Sequence, residues 1–427
     1  MEKKGNGLGK LAFQVIILAT GWALVYIIPF IQYTLYDPIL NALGCTNTQL
    51  GLLLTVYGLG NIFGAPIGGW LADRFDYRKI IVGSVFLNGI LSFLFAFNMN
   101  YTFAMITWIG CAIASLVMNY PSMVKILRVI GKENQGKIYG FNEAIVGVVD
   151  VIIGAFFLYV CVQFAKAAEG MKWVMIILGV MSVIVSAIIW IAIKDVSVNE
   201  NLDGNEESEG EKMTLKDFII VLKSPNTWLV GISIFCIYSF TVTMSYFTPY
   251  VTSVLGGSVA LSGSLAIIRQ HGLKLFGAPF GGYCSDKLKS PTKVLIPIYI
   301  LGIITILLFL ILPKTTPMTI FIALTFVVGL LGYMGKGIYY AVQEEVNIPV
   351  KYSATTIGIA AVLGFSPDVF QFTLIGHWID TYGNLGYTYA FIFQIAILVI
   401  GILVGIYILS LKKKRQIQQS QVKEVQE

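Results

Sequence analysis

Charge is scarce in these 427 residues: Asp, Glu, Lys and Arg make up 12%, about half the ~25% of an ordinary soluble domain. With 56% hydrophobic residues, the chain has too little polar surface for a water-soluble globule. Histidine is scarcer still, at two residues. The five cysteines, Cys45, Cys111, Cys161, Cys236 and Cys284, show no CxxC spacing. A disulfide framework and a zinc site are therefore excluded, and no catalytic triad or phosphate-cradling loop stands out. The chain is read as neither an enzyme nor a metal or cofactor protein. Long polar stretches are lacking too: the only one runs from Lys194 to Thr227. The net charge of +6 sits in short gaps and at the ends, which points to membrane topology rather than to nucleic acid.

What remains is apolar sequence in long runs. A spanning helix takes ~20 apolar residues, and twelve segments qualify. They are roughly 11–36, 49–72, 80–99, 102–124, 139–163 and 173–193, then 228–251, 261–284, 294–312, 318–342, 355–378 and 388–411. The first run is too long for a signal peptide and lacks a cleavage pattern. The pattern predicts an all-α membrane protein of twelve transmembrane helices in two six-helix halves, 1–193 and 228–411. A flexible linker, 194–227, joins them, and a tail, 412–427, follows. With the N-terminus inside, 23 of the 29 Lys and Arg fall on the cytoplasmic side, so both termini are expected in the cytoplasm of a multi-pass plasma membrane protein, read as a bacterial inner-membrane one.

The halves repeat. Phe63-Gly64-Ala65-Pro66-Ile67-Gly68-Gly69-Trp70-Leu71-Ala72-Asp73-Arg74 matches Phe276-Gly277-Ala278-Pro279-Phe280-Gly281-Gly282-Tyr283-Cys284-Ser285-Asp286-Lys287 at seven of twelve positions. Two like halves describe a transporter rocking about a central site. The run Gly69-Trp70-Leu71-Ala72-Asp73-Arg74-Phe75-Asp76-Tyr77-Arg78-Lys79 resembles the GxLADRxGRRK signature of the major facilitator superfamily. Asp76 stands for the usual glycine and Tyr77 for the first basic residue. Ile268-Arg269-Gln270-His271-Gly272 and Gly364-Phe365-Ser366-Pro367-Asp368-Val369-Phe370 are similar to a bacterial branch labelled sugar-phosphate or organosulfonate permeases. The resemblance implies alternating access, with segments 1, 4, 7 and 10 lining the cavity. Gly69, Asp73, Arg74, Arg78, Gly282 and Asp286 then form a gating motif, with the repeated acid as a latch. The same residues also fit a solvated turn, and the glycine stripes fit static helix packing.

Ionisable residues inside a bilayer are costly and mark function. Arg269 offers a permanent, planar fork to a carboxylate, phosphate or sulfonate. Lys336 has Tyr333 and Tyr340 at minus three and plus four, one helical stripe. Arg269 and Lys274 are five apart, about 140° round a helix, so they do not share a ligand. The expected substrate site is Arg269 and Lys336 with Tyr33, Asn119, Tyr333, Tyr340, Asp368 and Gln371. Glu143 and Asp150, seven apart on one face, are candidates for a coupled proton, although they also fit neutralisation of the basic cluster. The chain is read as a secondary transporter of a small organic anion, acting as a monomer in the lipid bilayer, with protons a candidate coupling partner. The rivals are a cation or drug exporter of the same fold and, more weakly, a solute-sensing receptor.

Overall fold

Backbone N–H and C=O groups in hydrocarbon must be satisfied within the chain, and every regular element among the described residues is a helix. The computed structural model describes residues 2–131, 135–194, 215–313, 315–349 and 352–426. The side chains of 2–8, 61, 62, 65, 66, 73, 131, 135–137, 215–217, 354, 419 and 421–426 lie outside that description. In chain order the helices begin with α1 (Glu2–Phe30), α2 (Tyr36–Leu43), α3 (Asn47–Arg74), α4 (Tyr77–Phe97) and α5 (Tyr101–Ala112). The last continues through a π segment, Ile113–Asn119, into α6 (Tyr120–Gly131). Then come α7 (Gln135–Val162), α8 (Ala167–Ala192), α9 (Leu215–Lys223), and α10 (Pro225–Thr243), which a 3-10 turn carries into α11 (Phe247–Ser253). A second π segment, Ile268–Gly272, joins α12 (Val259–Ile267) to α13 (Leu273–Leu288). The chain ends with α14 (Pro291–Ile311), α15 (Met318–Lys336), α16 (Val342–Glu345), α17 (Ser353–Gly364), α18 (Pro367–Tyr382) and α19 (Leu385–Gln426).

Among the described residues, ten helices are long and apolar enough to cross a membrane. An eleventh arises if α2 and the start of α3, bent by 103°, count as one span. The expected twelve is not reached on this criterion, and the reason is local. The shortfall falls on the two helices that carry the repeat, α3 and α12–α13. Both form as helices, and Arg269, Gln270, His271 and Lys274 break the apolar run of the second. Two elements depart from the sequence expectation. Most of the linker, 195–214, lies outside the described residues, but its end folds as α9, whose Leu215, Phe218, Ile219 and Leu222 repeat at helical spacing. Residues 412–426 continue α19 instead of leaving it.

The glycine stripes bring helices into backbone contact. On α3, a Cβ at Gly60 would lie 2.7 Å from Ala112 Cβ and one at Gly64 3.0 Å from a Val117 methyl; at Gly68 it would strike the Val117 carbonyl. On α13, a Cβ at Gly277 would lie 2.8 Å from Tyr333 Cβ and one at Gly281 would strike the Met334 carbonyl. The repeated glycines thus do the same packing in each half, α3 against the second helix after it and α13 against α15. Gly69 and Gly282, one residue past each stripe and so about 100° round the helix, have open space at that position.

Two compact units emerge, and their borders do not follow the sequence halves. One takes in the described residues of Met1–Gly204, Thr248–Gly272 and Phe372–Asp380; the other takes in those of Asn205–Phe247, Leu273–Gln371 and Thr381–Glu427. Three pieces of the second half, α11 with α12, the π segment, and most of α18, pack with the first.

Candidate functional site

In the first unit, the π segment carries Arg269, whose side chain is fully buried. Its Nη2 donates to Thr248 Oγ1 at 2.9 Å, and Thr248 Oγ1 donates to the Tyr33 carbonyl at 2.9 Å. Ser262 Oγ donates to the Thr248 carbonyl, fixing that residue from a third side. Arg269 and Tyr33 therefore come together through Thr248, which the sequence reading did not single out. The Tyr33 ring lies between Phe30 and Phe372, at centroid distances of 5.2 and 6.1 Å. Two residues along the π segment, His271 Nδ1 lies 3.4 Å from Asp150 Oδ2 on α7. Asp150 is 24% exposed and Glu143 is exposed. Asn119, fully buried, donates from Nδ2 to Ser84 Oγ on α4 at 2.8 Å, which turns its amide toward a neighbouring helix.

In the second unit, α18 starts at Pro367, after a break that separates it from α17. The break presents Asp368, which is 6% exposed. Its Oδ2 accepts from Tyr238 Oη at 2.8 Å, and Oδ1 has no hydrogen-bond partner among the described residues. Lys336 Nζ stands over the Tyr238 ring at 5.1 Å and acts electrostatically on Asp368. Three residues from three helices thus share one buried spot. Gln371, expected at the site, is spent on packing: it donates to the Ser239 carbonyl and Thr243 Oγ1 and accepts from Ser239 Oγ. Gln394 accepts from the same two hydroxyls, tying α19 to α10.

The stripe drawn from Lys336 to Tyr340 needs correction. Helix α15 ends at Lys336, so the plus-four spacing runs past the helix; Tyr340 is 37% exposed and stands edge-on to Tyr339. Tyr333 is buried against Gly277. Arg269 belongs to the first unit and Lys336 to the second.

Of the gating motif, the Asp73 side chain lies outside the described residues. Arg74 is exposed, with its guanidinium 5.4 Å from the Trp70 ring centre. Asp76, where the motif has glycine, is the N-cap of α4: it accepts from the Arg78 backbone N–H at 3.0 Å and from Arg78 Nε and Nη2, both at 3.1 Å. Arg78 Nη1 also donates to the Lys194 carbonyl just beyond α8. Burial alone would raise the Asp76 carboxyl, but the Arg78 hydrogen bonds and charge outweigh it and hold the group below the usual carboxylate range. Asp286 is exposed, and its side chain makes no hydrogen bond or ion pair among the described residues. It borders a cavity of about 600 Å³ shared with Lys289, Glu344, Glu345, Lys412 and Arg415, and none of the expected substrate residues lines it.

The sequence profile of the Major Facilitator Superfamily matches residues 11–371. The inner membrane protein YqcE of Escherichia coli (strain K12) is 29% identical over 358 residues, which cover 82% of this chain and 83% of YqcE. The quinolone resistance protein NorA of Staphylococcus aureus is 31% identical over 138 residues, 32% of this chain and 33% of NorA. In fold, the chain is similar to the crystal structure of a bacterial homolog of the human lysosomal transporter Spinster, inward-facing and unoccupied. The TM-score is 0.67 at 16% identity, covering 94% of this chain and 96% of that one.

Proposed function

This chain belongs to the Major Facilitator Superfamily, a multi-pass membrane transporter and not an enzyme, and from that premise we propose that it moves a small organic anion by alternating access. The observation that carries the reading is Arg269, a permanent cation wholly buried on the π segment between α12 and α13 of a membrane transporter. Burying a guanidinium there costs ~2.5 kcal/mol or more, a cost that a ligand carboxylate, phosphate or sulfonate offsets through two parallel hydrogen bonds. Lys336 acts electrostatically on Asp368, so Arg269 is our anchor for the anion. Asp150, paired with His271, is our candidate for a coupled proton; Glu143 is the alternative. The inner-membrane label of YqcE supports placing this chain in the same kind of membrane.

A melting-temperature screen of the purified protein over organic anions, cations and neutral sugars tests the reading, since a ligand that binds the native state raises Tm. Anions are expected to stabilise the protein. Arg269→Lys should blunt that shift while the unliganded protein still folds, because a point charge replaces a fork. Arg269→Ala should weaken binding by about 30-fold or more, the equivalent of ~2 kcal/mol. Stabilisation by organic cations alone would instead favour a drug exporter, the reading that the partial match to NorA supports.

A further inference from the structure

The N-terminus of α3 is capped twice over. Thr46 and Gln49 form a capping box within the local sequence. The second cap comes from Asp380, near the end of α18. Its Oδ1 accepts from the Asn47 backbone N–H at 2.9 Å and from Asn47 Nδ2 at 2.7 Å; its Oδ2 accepts from the Thr48 N–H at 2.7 Å and from Thr48 Oγ1 at 2.5 Å. Tyr36 Oη donates to Asn47 Oδ1, which turns the amide so that its NH₂ faces Asp380. Deeper along the same crossing, the two backbones touch reciprocally. A Cβ at Gly51 would lie 2.5 Å from the Phe372 carbonyl oxygen, and one at Gly376 would strike the Asn47 carbonyl. Thr55 Oγ1 and Thr373 Oγ1 then pair at 2.8 Å. All of these residues lie in the first unit, yet α3 comes from the first sequence half and α18 from the second.

We propose that Asp380 is a gating residue for transport: it latches α18 onto the first N–H groups of α3 and must release them before this end of the pathway opens. The proposal rests on the alternating-access reading. An anion at a helix N-terminus is held by charge-assisted bonds and by the helix dipole. Asp380 is exposed, so on release water takes over as donor and the carboxylate is never stranded in hydrocarbon. The glycine contacts beneath are backbone on backbone, with no long side chain to stretch across a partial gap. Close-packed contacts of that kind favour two discrete arrangements over a continuum. The latch is a carboxylate on the N–H groups of a helix from the other half, the role expected of the Asp73 and Asp286 acids, here at the opposite end of α3 from Asp73.

The full-length chain carrying Thr55→Cys and Thr373→Cys, oxidised in membrane vesicles with a copper catalyst, reports this contact, with each single variant as the control for native thiols. Disulfide formation is expected in the otherwise unchanged chain. Asp380→Asn places an amide NH₂ against hydrogen-bond donors and should slow crosslinking at least about threefold, the size of a helix-terminus charge effect, with Tm changed by only a few degrees. Thr48→Val removes one donor and should slow it less, in the same direction, which covers the case in which Asp380→Asn does not accumulate. A lowered Tm with an unchanged crosslinking rate would mean a static cap and would overturn the proposal, as would unchanged rates in both variants. The readout needs no substrate, so slowed crosslinking in a chain that moves no solute would retire the transport reading and leave the contact's opening established.

Discussion

Asp150 on α7 and His271 on the π segment face each other at 3.4 Å. Arg269 stands two positions away with a charge that does not titrate. A proton carried by this pair during transport should tie uptake or efflux to an imposed pH gradient. Asp150→Asn is then expected to retain solute exchange and to lose gradient-driven accumulation, measured in vesicles; accumulation unchanged in both Asp150→Asn and Glu143→Gln rules out coupling through these acids. Single side chains were also where sequence reading reached least far. Arg269, Lys336 and Asp368 stand out from sequence because a charge in an apolar run is conspicuous. Thr248, Tyr238 and Asp380 do not, since hydroxyls and helix-end acids are ordinary and only the fold reveals what they touch.

Elements were more legible. Apolar runs place most of the helices, and the Gly-rich repeat foretells the close packing of α3 and α13. Helical stripes failed where the helix itself changed. The step of 100° per residue assumes i→i+4 bonding throughout, and Ile268–Gly272 and Ile113–Asn119 are π segments, a form often found at functional sites. The angle counted from Arg269 to Lys274 on an ideal helix is therefore displaced. Asp76 shows how a departure from a motif can have its own local logic. Glycine would leave the α4 terminus without a side-chain cap; aspartate caps it and pairs with Arg78. Asp76→Ala should cost about 1 kcal/mol, seen as a lower Tm at neutral pH. Because the folded group titrates below its unfolded value, its stabilisation is fully present above about pH 4 and is lost as the pH falls through the lower, folded value. The Tm gap between parent and Asp76→Ala should accordingly close on acidification; a gap independent of pH assigns the effect to helix propensity.

At the scale of the whole molecule, the half-repeat and the signature run Gly69 to Lys79 pointed to the family from sequence, while the division into units lay beyond it, because which helix segments pack together depends on conformation as well as on composition. From the bias of basic residues we propose that both termini lie in the cytoplasm. A fluorescent protein fused after Glu427 is expected to fluoresce, and an export-dependent phosphatase at the same point to be inactive; the opposite pair of results inverts the topology. The design of such a fusion turns on α19, whose 42 residues extend ~63 Å at 1.5 Å each, twice the ~30 Å hydrocarbon thickness. Lys412 bonds Glu345 and the Lys289 carbonyl, and Arg415 bonds the Glu345 carbonyl, so the helix is moored there. The turns beyond Lys412 then form a stalk of ~20 Å, and whatever is joined to its tip is held at a set distance from the Glu345 mooring, a built-in spacer for spectroscopic rulers.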